Sequence, residues 1–593
     1  MPYRHARWSC AAGIIGAFVE TALPRMLLRT PLRLLPLAST CVFVLGLLAA
    51  PSADARKAPK APAPIAVPQI AHPQGETPAW WFRAGAAQAV ERGAMQGQAK
   101  NVILFVGDGM SLPTVAAARI LAGQRKGQPG EENMLSWERF PHTALSKTYN
   151  TDSQTPDSAG TMTAMATGVK TRAGVLSIGQ DAARGDCAGA LRSPLVSLWQ
   201  LAADTGLATG VVTTTRVTHA TPGATFTHSP DRNWENDEEM PRTAHEAGCR
   251  DIARQFVETP YGRGPDVLMG GGRGNFMPAT QRDPEYDDKV GQRLDGRDLV
   301  AEWKQRRPDG TYVWNAKQFA EAPAEGPLLA LFEPSHMQFE HDRPKDRAGE
   351  PSLAEMTRDA ITRLQRNRQG YVLLVEGGRI DHAHHYGNAY RALTDTIALS
   401  EAVAAAAEMT SADDTLILVT ADHAHTMTFA GYPVRGNPIL GKVRGSSGEG
   451  VDSSGFATDA TGLPYTTLGY ANGPGYVGAT DQQPEGPKTF LHEVSGYQAA
   501  SGRPNLAEVD TEHPDYLQES TVPMSNESHG GDDVGIWARG PGAHAVRGSL
   551  EQNAIYHIFL QAMPALRKPL CARKLCNADG VPVELPRPEM FAK

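Results

Sequence analysis

Short runs that are apolar at every position recur along the chain, and each ends in a polar or glycine-containing turn. Residues 102–106 (VILFV) lead into Gly107, Asp108 and Gly109, and residues 210–214 lead to Thr215, Arg216 and His219. Residues 371–375 lead to Glu376, Gly377, Gly378 and Asp381, and residues 415–420 lead to Asp422 and His423. A run without polar alternation predicts a strand buried on both faces, and helical stretches between such runs predict parallel strands covered by helices. Residues 80–95 and 551–563 read as helices, residues 534–538 as a late strand, and residues 114–122 as a helix that Gly123 ends. The expected fold is therefore α/β, with a large, mostly parallel central sheet and helices on both faces. Ligands of such sheets gather beyond the carboxyl ends of the strands. Here those ends carry Asp108, Glu376, Asp422 and His423.

Three segments break the pattern. Residues 34–50 are almost wholly apolar, follow a basic stretch with Arg29 and Arg33, and precede Ala53-Asp54-Ala55, a small-x-small cleavage signature. Residues 1–55 are expected to be an export signal, cleaved rather than retained as a membrane anchor, with either Met1 or Met26 as the start. Residues 56–78 are rich in Pro, Ala and Lys and read as an extended linker. The remainder, residues 79–593, is expected to fold as the main body of the protein. Within it, residues 431–519 are dense in Gly, Ser, Asp and Pro, and Tyr465, Tyr470, Tyr476, Phe490 and Tyr497 mark them as an ordered, loop-rich insertion.

Charge narrows the partners. Lys and Arg total 57 against 65 Asp and Glu, a net charge of -8, so no surface for nucleic acid or anionic membrane is expected. Of six cysteines, Cys10 and Cys41 fall in the segment to be lost, leaving Cys187, Cys249, Cys571 and Cys576, an even number that suits an oxidising compartment. The short spacing of Cys571 and Cys576 permits a local loop, which leaves Cys187 for Cys249. None of the four has zinc-knuckle spacing.

The candidate chemistry sits where the apolar runs end. Asp381 and His385 are four residues apart and share one face if helical. Asp422 and His423 supply a carboxylate and an imidazole, both ordinary zinc ligands, and His529 lies in a glycine-containing loop. Ser158 falls at the start of a helical stretch, where unpaired N–H groups favour an anion; the plain alternative is that Asp157 or Ser158 only caps the helix. No G-x-S-x-G elbow surrounds Ser158.

Taken together, VGDGM (residues 106–110), TPDSAGTMTAMATGVKT (155–171), VVTTTRVTHATPGATFTH (211–228), DRNW (231–234), LLVEGGRIDHAHH (373–385), LVTADHAH (418–425) and ESHGGDDV (527–534) resemble the alkaline phosphatase family, nearest its animal-type branch. The resemblance spans residues 97–545 in family order. It implies two Zn(2+) and one Mg(2+): Asp381, His385 and His529 for the first zinc; Asp108, Asp422, His423 and Ser158 for the second; Asp108, Thr221 and Glu376 for the magnesium. It further implies that Arg232 grips phosphate, that His219 and His425 lie outside the ligand shell, and that Cys187 pairs with Cys249 and Cys571 with Cys576. A fourth, calcium-type site of the animal enzymes maps onto Glu285, the carbonyl of Phe332, Glu333 and Glu350, where the family has an aspartate. Residues 431–519 resemble the family's crown region, which implies a homodimer. The chain ends VPVELPRPEMFAK, without the apolar tail of a lipid-anchor signal.

The expected activity is hydrolysis of small phosphate monoesters through a phosphoserine, in the periplasm or secreted. The same N and O ligands would accept cobalt as well as zinc. Rival readings are a phosphodiesterase of the same superfamily and a non-catalytic exported protein that binds metal or phosphate. A sulfatase needs C/S-x-P-x-R, which Ser158-Ala159-Gly160-Thr161 does not supply.

Overall fold

The computed structural model describes residues 61–70, 75–445 and 455–591; the expected signal segment, residues 1–55, lies outside them. Ten strands form the central sheet: β1 (Asn101–Gly107), β2 (His142–Lys147), β3 (Ala208–Arg216), β4 (Val267–Gly271), β5 (Thr311–Val313), β6 (Leu328–Leu331), β7 (Tyr371–Gly377), β8 (Thr415–Ala421), β9 (Val534–Arg539) and β10 (Gly548–Glu551). Their order across the sheet is β10-β2-β9-β8-β1-β7-β3-β4-β6-β5. Every neighbour pair is parallel except the two made by β9, which runs against β2 and β8.

The apolar runs are central strands because both of their faces are covered. Val102, Leu104 and Val106 of β1 join the core on one side of the sheet, and Ile103 and Phe105 join the core on the other. The first face is covered by α1 (Pro78–Glu91), α3 (Ser158–Thr167), α4 (Leu198–Asp204) and α8 (Ala554–Ala562). The second face is covered by α2 (Leu112–Gln124), α5 (Leu353–Leu364) and α7 (Ala389–Met409), and the short α6 (Arg379–His385) leads from β7 into α7. Burial of these long apolar surfaces is the main drive to assemble the sheet.

Gly123 does not end α2. The helix runs on to Gln124, and a Cβ at Gly123 would lie 2.6 Å from the Gly130 Cα, so the glycine admits a close-packed loop rather than a stop. Residues 61–70 have no regular structure, but they lie along the body: the Trp80 indole donates to the Pro68 carbonyl at 2.8 Å and Ile65 packs beside Val581. Within the insertion, Leu468–Gly473 pairs with Met427–Phe429 and Ser520–Pro523 in a three-stranded sheet. The two disulfides join Cys187 to Cys249 and Cys571 to Cys576. No helix among the described residues is long and apolar enough to cross a membrane.

Candidate metal centre

Strand register brings the polar ends together. Gly107 of β1 lies beside Gly377 of β7 and Ala421 of β8, so Asp108, Glu376 and Asp422 emerge at one level on three adjacent strands. All three are fully buried. Asp422 is fixed by the Gly109 N–H at 3.0 Å and the His423 N–H at 2.8 Å. β9 enters the sheet at this rim because it runs in reverse, and the loop before it delivers His529.

The residues fall into overlapping groups. Asp381 and His385 share one face of α6, with Oδ2 and Nε2 3.3 Å apart. The His529 Nε2 is 3.5 Å from Asp381 Oδ1 and 3.2 Å from His385 Nε2. Beside them, His423 Nε2 lies 3.4 Å from Asp108 Oδ1, 3.2 Å from Asp422 Oδ2 and 3.1 Å from Ser158 Oγ. Asp108 also meets His219 and Glu376 in a third group, where the Thr221 hydroxyl adjoins Glu376.

This donor set fits cations. His385, His423 and His529 direct Nδ1 at the carbonyls of Glu527, Ala424 and Pro156, so each donates its N–H there and turns an Nε2 lone pair inward. Two bare nitrogens 3.2 Å apart gain nothing from one another unless a cation joins them. Asp108 Oδ2 and Glu376 Oε1 are buried without a close hydrogen-bond partner, which is costly unless an ion completes them. Burial, then Asp422 and the other carboxylates, raises the pKa of Asp108; burial pushes Glu376 up to about 7. Burial holds His423 and His219 well below the usual histidine range, in the neutral state a ligand requires. Burial alone would raise Asp381, but His385, His425 and His529 outweigh it and hold that carboxylate well below its ordinary range.

Ser158 opens α3, and Asp157 caps it by accepting from the Gly160 N–H at 3.1 Å. Asp157 thus takes the capping role and leaves the Ser158 hydroxyl in the metal centre, 3.4 Å from Asp108 Oδ1. The Arg232 guanidinium is held by Asp157 at 3.2 Å and by His219 Nε2 at 3.0 Å, which aims it across the N-terminus of α3. A serine hydroxyl, free helix N–H groups and a guanidinium facing one cluster of cation ligands suit a tetrahedral oxyanion.

His425 also turns a ring nitrogen into the centre, close to Asp381, His423 and His529. Its Nε2 meets Asp381 Oδ1 at 2.7 Å and its Nδ1 meets the Glu527 carboxylate. Sequence reasoning missed Glu527, whose only signal was its place two residues before His529.

The acidic cluster on the far side of β4 and β6 also departs from expectation. Glu285, Glu333 and Asp346 approach one another within reach of a single cation, whereas Glu350 is not of that group and accepts from the Gln338 N–H at 2.9 Å. Asp346 closes the turn Arg343–Lys345. Burial, with Glu333 and Asp346 nearby, pushes Glu350 up to about 9. The Phe332 carbonyl accepts from the Arg273 guanidinium, which also pairs with Glu285 at 2.7 Å.

The sequence model for alkaline phosphatase matches residues 99–564. The tissue-nonspecific alkaline phosphatase of Gallus gallus is 44% identical over 477 residues, covering 79% of this chain and 85% of that protein. The Homo sapiens tissue-nonspecific isozyme is 43% identical over 472 residues, 78% of this chain and 83% of its own. Among solved structures, the alkaline phosphatase of Thermus thermophilus is similar with a TM-score of 0.55 at 25% identity, over 79% of this chain and 92% of that one.

Proposed function

The chain belongs to the alkaline phosphatase family, whose members hydrolyse phosphate monoesters with bound metal, and from that premise we propose that Ser158 carries the phosphoryl group as a covalent intermediate. The observation that carries this reading is the position of Ser158 Oγ, at once among the ligands of the second pocket and at the open end of α3. In the first step Oγ gives up its proton and attacks phosphorus, the Oγ–P bond forms as the ester P–O bond breaks, and the departing alkoxide takes up a proton to leave as the alcohol. In the second step water attacks phosphorus, the P–Oγ bond breaks, and Ser158 regains its proton as inorganic phosphate forms. Arg232 holds two nonbridging oxygens in a fork preset by Asp157 and His219. The α3 N–H groups face the same oxygens.

Asp381, His385 and His529 would hold one zinc, Asp108, Asp422, His423 and Ser158 a second, and Asp108, Thr221 and Glu376 a magnesium. Bound there, the cations lower the pKa of the serine hydroxyl and offset charge on the attacking and leaving oxygens. A calcium-type cation would sit among Glu285, Glu333 and Asp346. The apolar residues Phe429, Tyr432, Val434, Val522 and Met524, exposed on and beside the insertion, support a homodimer through that face. Export, with loss of residues 1–55, accords with the two disulfides.

Ser158→Ala tests the reading: zinc content should stay near that of the wild type while turnover falls at least about a hundredfold, the loss expected when a covalent route is removed. Phosphoserine trapped at low pH from the wild type, and none from the variant, completes the test. Near-full activity in Ser158→Ala would sink the assignment.

A further inference from the structure

The pocket of Asp381, His385 and His529 is supported from outside the catalytic sheet, by the strand Leu468–Gly473 of the insertion. Asn472 grips the loop before β9 at two atoms of one residue. Its Oδ1 accepts from the Ser528 N–H at 2.8 Å and its Nδ2 donates to Ser528 Oγ at 2.9 Å. Gly473, at φ 129°, lies so close to Glu527 that a Cβ would stand 2.8 Å from the Glu527 Cβ. The same strand reaches α6 through Tyr470, whose hydroxyl is 2.7 Å from His384 Nδ1.

The gripped loop serves every ligand of this pocket. Ser528 immediately precedes His529. The Glu527 carbonyl accepts from His385 Nδ1 at 2.5 Å. The Glu527 carboxylate, buried, accepts from the Thr426 N–H at 2.6 Å and orients His425, which is 2.7 Å from Asp381 Oδ1. By contrast, Asp108 follows β1, Asp422 and His423 follow β8, and Ser158 opens α3. No hydrogen bond of the strand Leu468–Gly473 reaches any of those four.

We propose that Asn472 and Glu527 are positioning residues for the first cation pocket, so that the insertion selectively sets how tightly one of the two zinc ions is retained. Partners that bond a ligand directly, as the Glu527 carbonyl bonds His385, change metal affinity by about 10- to 100-fold when removed, and Asn472 acts through the loop that holds Glu527. The proposal rests on the two-zinc reading above.

The test is zinc release from the zinc-loaded full chain into excess chromogenic chelator. Wild type, Asn472→Ala, Asn472→Asp and Ser528→Ala are compared. In Asn472→Ala one zinc equivalent should leave about 10- to 100-fold faster while the other keeps its wild-type rate. Asn472→Asp retains the acceptor for the Ser528 N–H and should stay within about threefold of wild type, with Ser528→Ala between the two. Rates unchanged within twofold in Asn472→Ala would overturn the inference, and so would equal acceleration of both equivalents, which general loosening produces. If Asn472→Ala does not fold, the graded pair of milder variants decides on the same criterion. A wild type that releases no two equivalents would fell the two-zinc reading first, and this inference with it.

Discussion

Gly109 offers a direct measure of how closely the catalytic rim is packed. It sits at φ 68°, where a side chain is disfavoured, and a Cβ there would stand 2.3 Å from Cδ2 and 2.5 Å from Nε2 of His425. His425 cannot swing aside freely, because it is fully buried and tied to Glu527 and Asp381. Gly109→Ala should therefore cost roughly 1 to 2 kcal/mol for the backbone and roughly 1 to 3 kcal/mol for overpacking. Together these make a loss of roughly 2 to 5 kcal/mol. The displaced imidazole should also slacken Asp381, so the variant should purify with less zinc. Urea unfolding of both proteins at equal zinc gives the stability difference, and metal analysis gives the occupancy. A variant within about 0.5 kcal/mol of wild type, carrying its full zinc, would refute the rigidity assigned to this rim.

Arg232→Ala should raise the inhibition constant for inorganic phosphate by about 10- to 200-fold, the equivalent of roughly 1.5 to 3 kcal/mol for a charge-assisted fork; an unchanged constant would remove Arg232 from the anion site. Asp346→Asn should lose most of the thermal stabilisation that millimolar calcium confers by binding the folded state, whereas Glu350→Gln, which mimics the protonated acid, should keep it. The reverse outcome would return the ligand role to Glu350. Lys170 is buried between the Tyr149 ring at 3.3 Å and Glu551 at 2.9 Å, and burial lowers its pKa to about 8. The unfolded chain then binds the extra proton between pH 8 and about 10.5, so wild-type stability relative to Lys170→Met should rise by roughly 3 kcal/mol across that window. A difference independent of pH, measured by urea unfolding, would contradict it.

What the sequence makes legible is set by burial. β1, β7 and β8 are covered on both faces and announce themselves as unbroken apolar runs, and their polar ends mark the rim. β2 has only part of its surface covered and alternates, and β5 is three residues long, so neither stands out from a loop. Gly123 misleads because glycine serves close packing as readily as helix termination. The ligand sets come from strands far apart in the chain, and no local spacing links Asp108 with His423; the family resemblance alone proposed those combinations. Glu527 and Asp346 are single acids in polar loops, and only the folded path of the chain gives each its neighbours.

The one strand that opposes its neighbours bears on how activity first appears. Since β9 begins at the catalytic rim, His529 arrives late in the chain, long after Asp108 and Ser158 have been made. A nascent polypeptide, or one clipped ahead of this loop, would have Ser158 and Asp108 yet lack His529, one of the three ligands proposed for the first zinc. On the proposed ligand set, phosphate ester hydrolysis would wait until that loop has been made.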